Sequence, residues 1–93
     1  AMRKICVIVK TSDTYRQSEA VRVALGLTML DDKVDLIVLD QNLIRNDTIN
    51  TNLELLITMD GATYSNKSEN HFDPLSLEDI SGKLIEYDVV VAY

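Results

Sequence analysis

Ile5-Cys6-Val7-Ile8-Val9 is an unbroken apolar run in which β-branched residues dominate. An alternating pattern would leave one face of a strand in water. A continuous run fits a strand covered on both faces, as in a parallel sheet. Lys10-Thr11-Ser12-Asp13-Thr14 is polar and reads as the loop leaving that strand, with Ser12, Asp13 or Thr14 available to cap a helix. The helix is predicted from about Tyr15 to Leu30. Ala20, Ala24 and Leu27 fall on one stripe, and Val23, Leu27 and Leu30 on another. So wide an apolar face predicts packing against both a sheet and a neighbour. Asp31-Asp32-Lys33 turns the chain into a second strand, Val34 to Leu39, with Asp40-Gln41-Asn42 as its polar exit. Strand, helix and strand in this order imply a right-handed parallel crossover.

Further along, Asn46-Asp47-Thr48 can cap a helix running to about Met59, with Ile49, Leu53, Leu55 and Leu56 inward and Gly61 ending it. Leu55 to Met59 also fits a strand; the recurrence of apolar positions at three and four favours the helix. Ala62-Thr63-Tyr64-Ser65 is a candidate short strand. Asn66 to Asp73 is the most polar stretch and predicts an exposed, mobile loop closed by Pro74. Ser76-Leu77-Glu78-Asp79 has capping-box character, and a helix follows to about Glu86 with Leu77, Ile80 and Leu84 inward, loosened by Gly82. Val89 to Tyr93 is the last strand. The whole predicts a single domain over residues 1–93: a three-layer α/β sandwich on a mostly parallel sheet of four or five strands. Ala1 ahead of Met2 reads as an added residue.

Composition narrows the function. Ninety-three residues lie near the low end of what buries its own core, and one Phe with no Trp makes that core aliphatic. A net charge of -6, with nine scattered Lys and Arg, argues against direct binding of nucleic acid. A lone cysteine cannot close an internal disulfide, which points to a reducing cytoplasm. No stretch reaches the roughly 18 apolar residues that span a membrane. Arg3-Lys4 precedes only five apolar residues, so no signal peptide is read.

Three stretches together carry a family resemblance. They are Arg3 to Val9 followed by Thr11-Ser12; Glu19-Ala20-Val21-Arg22-Val23-Ala24-Leu25-Gly26-Leu27 leading into Val34 to Asp40; and Tyr87-Asp88-Val89-Val90-Val91-Ala92-Tyr93. In these the chain resembles the DsrE/DsrF-like family, and within it the DsrF/TusC branch of sulfur-relay proteins. The resemblance implies the DsrEFH-like fold and a part in intracellular sulfur trafficking. It also implies assembly as a homo-oligomer, trimer or hexamer, or as a hetero-oligomer with related subunits. Active members carry sulfur on a cysteine near the end of the middle strand. The corresponding stretch here, Ala62 to Asn66, has none, and a hydroxyl from Thr63 or Ser65 forms no persulfide. The resemblance therefore implies a non-catalytic member, with no catalytic residue carried over.

The residues alone add little chemistry. Cys6, inside a strand, reads as a small buried hydrophobe. His71, the single histidine, lacks companions at metal-ligand spacing, so neither a metal nor a cofactor is expected. A phosphoacceptor receiver needs an acidic pair after the first strand, and only Asp13 is there. Gly26, Gly61 and Gly82 lie too far apart to cradle a phosphate. In open α/β sheets ligands bind beyond the carboxyl ends of the strands. Thr11, Ser12, Asp13, Asp40, Gln41, Asn42, Ser65 and Asn66 would gather there, as a ligand site or as plain loop and capping residues. A small-ligand-binding or regulatory domain using these loops is the alternative function. The wide face of the first helix and the middle of the chain are the expected contact surfaces between subunits.

Overall fold

The computed structural model describes residues 3–93; Ala1 and Met2 lie outside the described residues. Five strands form one parallel sheet: β1 (Lys4–Val9), β2 (Lys33–Val38), β3 (Ala62–Ser65), β4 (Asp73–Pro74) and β5 (Val89–Ala92), in the order β4-β3-β2-β1-β5. The helices are α1 (Thr14–Met29), α2 (Asp47–Thr58) and α3 (Leu77–Leu84). The chain steps outward from β1 to β4, then returns across the sheet to place β5 beside β1. Right-handed crossovers in opposite directions put α1 and α2 on one face and α3 on the other. The result is the expected three-layer α/β sandwich.

The two faces have separate cores. Ile5, Val7 and Val9 of β1, with Val34, Leu36 and Val38 of β2, pack against Ala20, Val21, Ala24 and Leu25 of α1 and Ile49, Leu53 and Leu56 of α2. Cys6, Ile8, Ile37 and Leu39 face the other way, against Ile80 of α3 with Tyr64, Leu75, Leu84 and Tyr87 beside them. The alternation of side chains along a strand, applied to runs apolar at both phases, yields these two layers.

Leu55 to Met59 continues α2 as far as Thr58, so the helical reading of that run holds. Asp13, Asn46 and Ser76 cap the three helices, each side chain accepting from the backbone N–H three residues on. α1 and α2 end alike: Asp31 (φ 69°) and Asp60 (φ 71°) take the left-handed conformation. The N–H of Asp32 reaches the carbonyl of Leu27, and that of Gly61 the carbonyl of Leu56. This is the Schellman arrangement, which satisfies the last carbonyls of each helix.

Several expectations need correction. Gly61 does not supply the left-handed turn; Asp60 does. Gly61 is required because a Cβ there would stand 2.6 Å from Leu56 Cδ1 and 2.9 Å from the Leu56 carbonyl oxygen. Leu30, Leu55 and Leu77 are not inward: they are 74%, 43% and 58% exposed, because Leu30 lies just past the end of α1, Leu77 at the start of α3, and Leu55 off the buried stripe of Ile49, Leu53 and Leu56. The stretch Asn66 to Asp73 is not a loose loop. It holds a 3-10 turn at Ser68–Asn70 and feeds β4, and Asn70 is buried.

Candidate functional site

The carboxyl ends of β1, β2 and β3 bring most of the anticipated polar residues into one region, and hydrogen bonds tie them to each other. Asp40, held at φ 62°, donates its backbone N–H to Asn66 Oδ1 at 2.8 Å, while Asn66 Nδ2 donates to Asp40 Oδ1 at 2.8 Å. Ser65 Oγ accepts from the Lys67 N–H and from Asn70 Nδ2. Asn70 Nδ2 also donates to the Gln41 carbonyl, and Asn70 Oδ1 accepts from the Leu43 N–H at 2.7 Å. Asn70 is thus the peg on which the exits of β2 and β3 hang.

The exit of β1 is pinned separately. Thr11 Oγ1 accepts from the Asp13 N–H, and Asp13 caps α1. Gln17, buried in α1, donates to the Thr11 carbonyl at 2.9 Å and accepts from the Ile44 N–H at 2.8 Å, joining this loop to the one after β2. Ser12 and Asn42 are exposed. Thr11, Asp13, Asp40, Gln41, Ser65 and Asn66 therefore all serve as turn, cap or staple. Polar groups that are mutually paired order a loop and leave few free donors for a ligand.

Open space lies to one side of this network. A cleft of about 470 Å³ is lined by residues from Ser65 to Ser76, among them Asn66, Lys67, Phe72 and Leu75. A second, of about 710 Å³, lies across the same segment, with Arg45, Glu54, His71 and Phe72 among its walls. Arg45 sits 5.2 Å over the Phe72 ring and donates to the Asn70 carbonyl. Of the anticipated residues only Ser65 and Asn66 line the first cleft; Thr11, Ser12, Asp13, Asp40, Gln41 and Asn42 line neither. Among the described residues, no group of three or more His, Cys, Asp and Glu side chains is arranged to hold a metal. Among the described residues no helix is long and apolar enough to cross a membrane.

The chemically unusual cluster lies on the opposite side, under α3. Cys6 and Asp35 are register partners on β1 and β2 and point to the same face. The Tyr87 hydroxyl donates to Asp35 Oδ2 at 2.5 Å, and Lys83 Nζ stands 3.8 Å from the same oxygen and 4.4 Å over the Tyr64 ring. Asp35 Oδ1 is buried with no hydrogen-bond partner among the described residues. Burial, helped by the Asp35 charge and opposed by Lys83, pushes the Cys6 thiol up to about 12. Burial and the bond to Asp35 also raise the Tyr87 phenol. Both groups stay protonated near neutrality, so this thiol is no nucleophile in the closed structure.

Gln17, Asn70 and Asp35 are the residues that reading the sequence missed. Gln17 lies on the apolar stripe of α1 with Ala20, Val21, Ala24 and Thr28, and Asp35 interrupts the apolar run of β2. Both anomalies were visible in the sequence. Asn70 lies in a polar stretch and gave no such signal. No family model and no curated protein matches the chain.

Proposed function

We propose that the chain is a non-catalytic, oligomer-forming α/β subunit associated with sulfur relay in the cytoplasm. The resemblance of its two ends to the DsrE/DsrF-like family supplies the pathway. One observation carries the non-catalytic part: the single thiol, Cys6, is wholly buried, with an anionic neighbour and a raised pKa. A sulfur carrier needs the reverse, an accessible thiol whose thiolate is stabilised by nearby positive charge. Exposed apolar side chains support association. Leu55, Ile57 and Met59 on and just beyond α2, Met29 and Leu30 at the end of α1, and Val89 and Val90 on the edge strand β5 all meet solvent in the single chain.

The test exposes the folded protein to inorganic polysulfide and weighs it intact, alongside light scattering of the untreated sample. The expected result on brief exposure is no added sulfur on the folded chain, addition to the urea-unfolded chain, and a mass of three or six subunits. Rapid stoichiometric addition to the folded chain, or a monomer at high concentration, overturns the reading.

The 470 Å³ cleft favours a second reading, a small-ligand-binding domain at the strand ends. A thermal-shift screen separates the two, since a saturable rise in Tm abolished by Lys67→Ala supports only the ligand-binding reading.

A further inference from the structure

α3 is the least anchored of the three helices. α1 rests on β1, β2 and α2, and α2 on α1 and β3. α3 buries only Ile80, with Leu84 partly packed beside it, and Leu77 at its start and Ile85 just past its end face solvent. Eight residues are too few for a helix that stands without tertiary support, and Gly82 weakens its middle further.

What adds hold is polar. Lys83 reaches Asp35 Oδ2 and the Tyr64 ring, and Tyr87, four residues on, donates to the same oxygen. Lys4 stands 5.9 Å over the outer side of the Tyr87 ring. Asp35 is 6% exposed, yet its Oδ1 has no partner. A buried network kept only for stability pairs every member. One that leaves a buried carboxylate oxygen without a protein donor carries a desolvation cost that opening relieves. Few buried apolar contacts together with a half-satisfied polar latch place a segment at the low-stability end of a fold.

We propose that α3 is a lid that opens as a unit, and that the Asp35–Lys83–Tyr87 latch sets how often it uncovers a polar pocket formed by Cys6, Asp35 and Tyr64. The single thiol is then conditional: covered in the closed protein, presented beside a carboxylate when the latch releases. The lid rests on the proposed function only for the closed state, and the two fail differently. Labelling solely through global unfolding removes the lid and leaves the non-catalytic reading; sulfur uptake on brief exposure, at a rate that Lys83→Met does not change, removes the non-catalytic reading, whereas opening of the lid alone gives slow uptake that Lys83→Met speeds.

Iodoacetamide labelling of Cys6 in the whole chain, followed across urea concentrations below the unfolding transition, tests the lid. The expected rate at low urea exceeds that allowed by global unfolding and barely depends on urea. Lys83→Met raises it by about tenfold or more, since removing one partner leaves Asp35 uncompensated. Gly82→Ala, whose added methyl meets no atom within 4 Å, lowers it about fivefold by strengthening the closed helix. Leu53→Ala, in the opposite core, weakens the global fold but leaves the low-urea rate unchanged. A rate that tracks global unfolding at every urea concentration overturns the lid. So does a Leu53→Ala effect equal to that of Lys83→Met. Should Lys83→Met fail to fold, an unchanged rate in Gly82→Ala overturns it alone.

Discussion

Tyr87 and Asp35 lie 52 residues apart in sequence, and the hydroxyl of one donates to the carboxylate of the other at 2.5 Å. The bond joins the turn before β5 to the middle of β2, across β1. Without it, Asp35 would keep only the longer contact from Lys83. Tyr87→Phe removes the donor and keeps the ring, so its cost is that of stripping a bond from a buried charge, about 1–3 kcal/mol. Urea denaturation of the variant checks this, and a change below the error of the midpoint would show that the bond contributes nothing net.

Alkaline pH should unfold the protein earlier than its acidic composition suggests. The Cys6 thiol rises from 9.0 to about 12 on folding, so between those values the unfolded chain releases a proton that the folded chain keeps. Its stabilising contribution is fully present below pH 9.0 and falls by about 1.4 kcal/mol per pH unit above it. Tyr87, raised in the same direction, adds to the loss above its ordinary value of 10.0. Stability measured from pH 8 to 11 should decline, and Cys6→Ala should flatten the first part of that decline even though it lowers stability overall.

Asn70 deserves a harsher forecast than a residue in a polar stretch ordinarily receives. Its amide bonds the Leu43 N–H, the Gln41 carbonyl and Ser65 Oγ, all on segments more than four residues away. Asn70→Ala leaves the Leu43 N–H and the Gln41 carbonyl without this partner, while Ser65 Oγ keeps the Lys67 N–H, at a cost of about 2–4 kcal/mol. Hydrogen exchange at the Leu43 amide should quicken by more than the global loss of stability accounts for; equal changes would mean that the peg is not local.

Gly61→Ala tests why a glycine follows α2. If left-handed geometry were the reason, Asp60 would be the sensitive position. The 2.9 Å approach to the Leu56 carbonyl oxygen is backbone and has little room to give. The expected loss is about 1–3 kcal/mol, read from thermal or urea unfolding. Asp60→Gly should instead be neutral or slightly stabilising, since glycine adopts its positive φ without strain.

Much of the architecture was legible because it rests on periodicity. The run Ile5 to Val9 announced a strand buried on both sides, the clusters Ser12-Asp13-Thr14, Asn46-Asp47-Thr48 and Ser76 to Asp79 marked helix starts, and the spacing of Ile49, Leu53 and Leu56 separated helix from strand. Those signals are local, and a strand or helix pattern is set by residues a few positions apart. The strand-end region could also be located in advance, since parallel strands deliver their exits to one end.

Pairing between distant residues decided the rest. Whether Asp40, Ser65 and Asn66 await a ligand or are already paired depends on β2 and β3 bringing Asp40 beside Asn66 and on where Asn70 arrives, and nothing near those residues encodes that. The same holds for Cys6. Its sequence marks it as buried, but only the folded chain sets Asp35, Lys83 and Tyr87 around it, from three separate elements, with one carboxylate oxygen left unpaired. Local patterning determined the layers; the electrostatics between them arose where side chains far apart in sequence were brought out of water together.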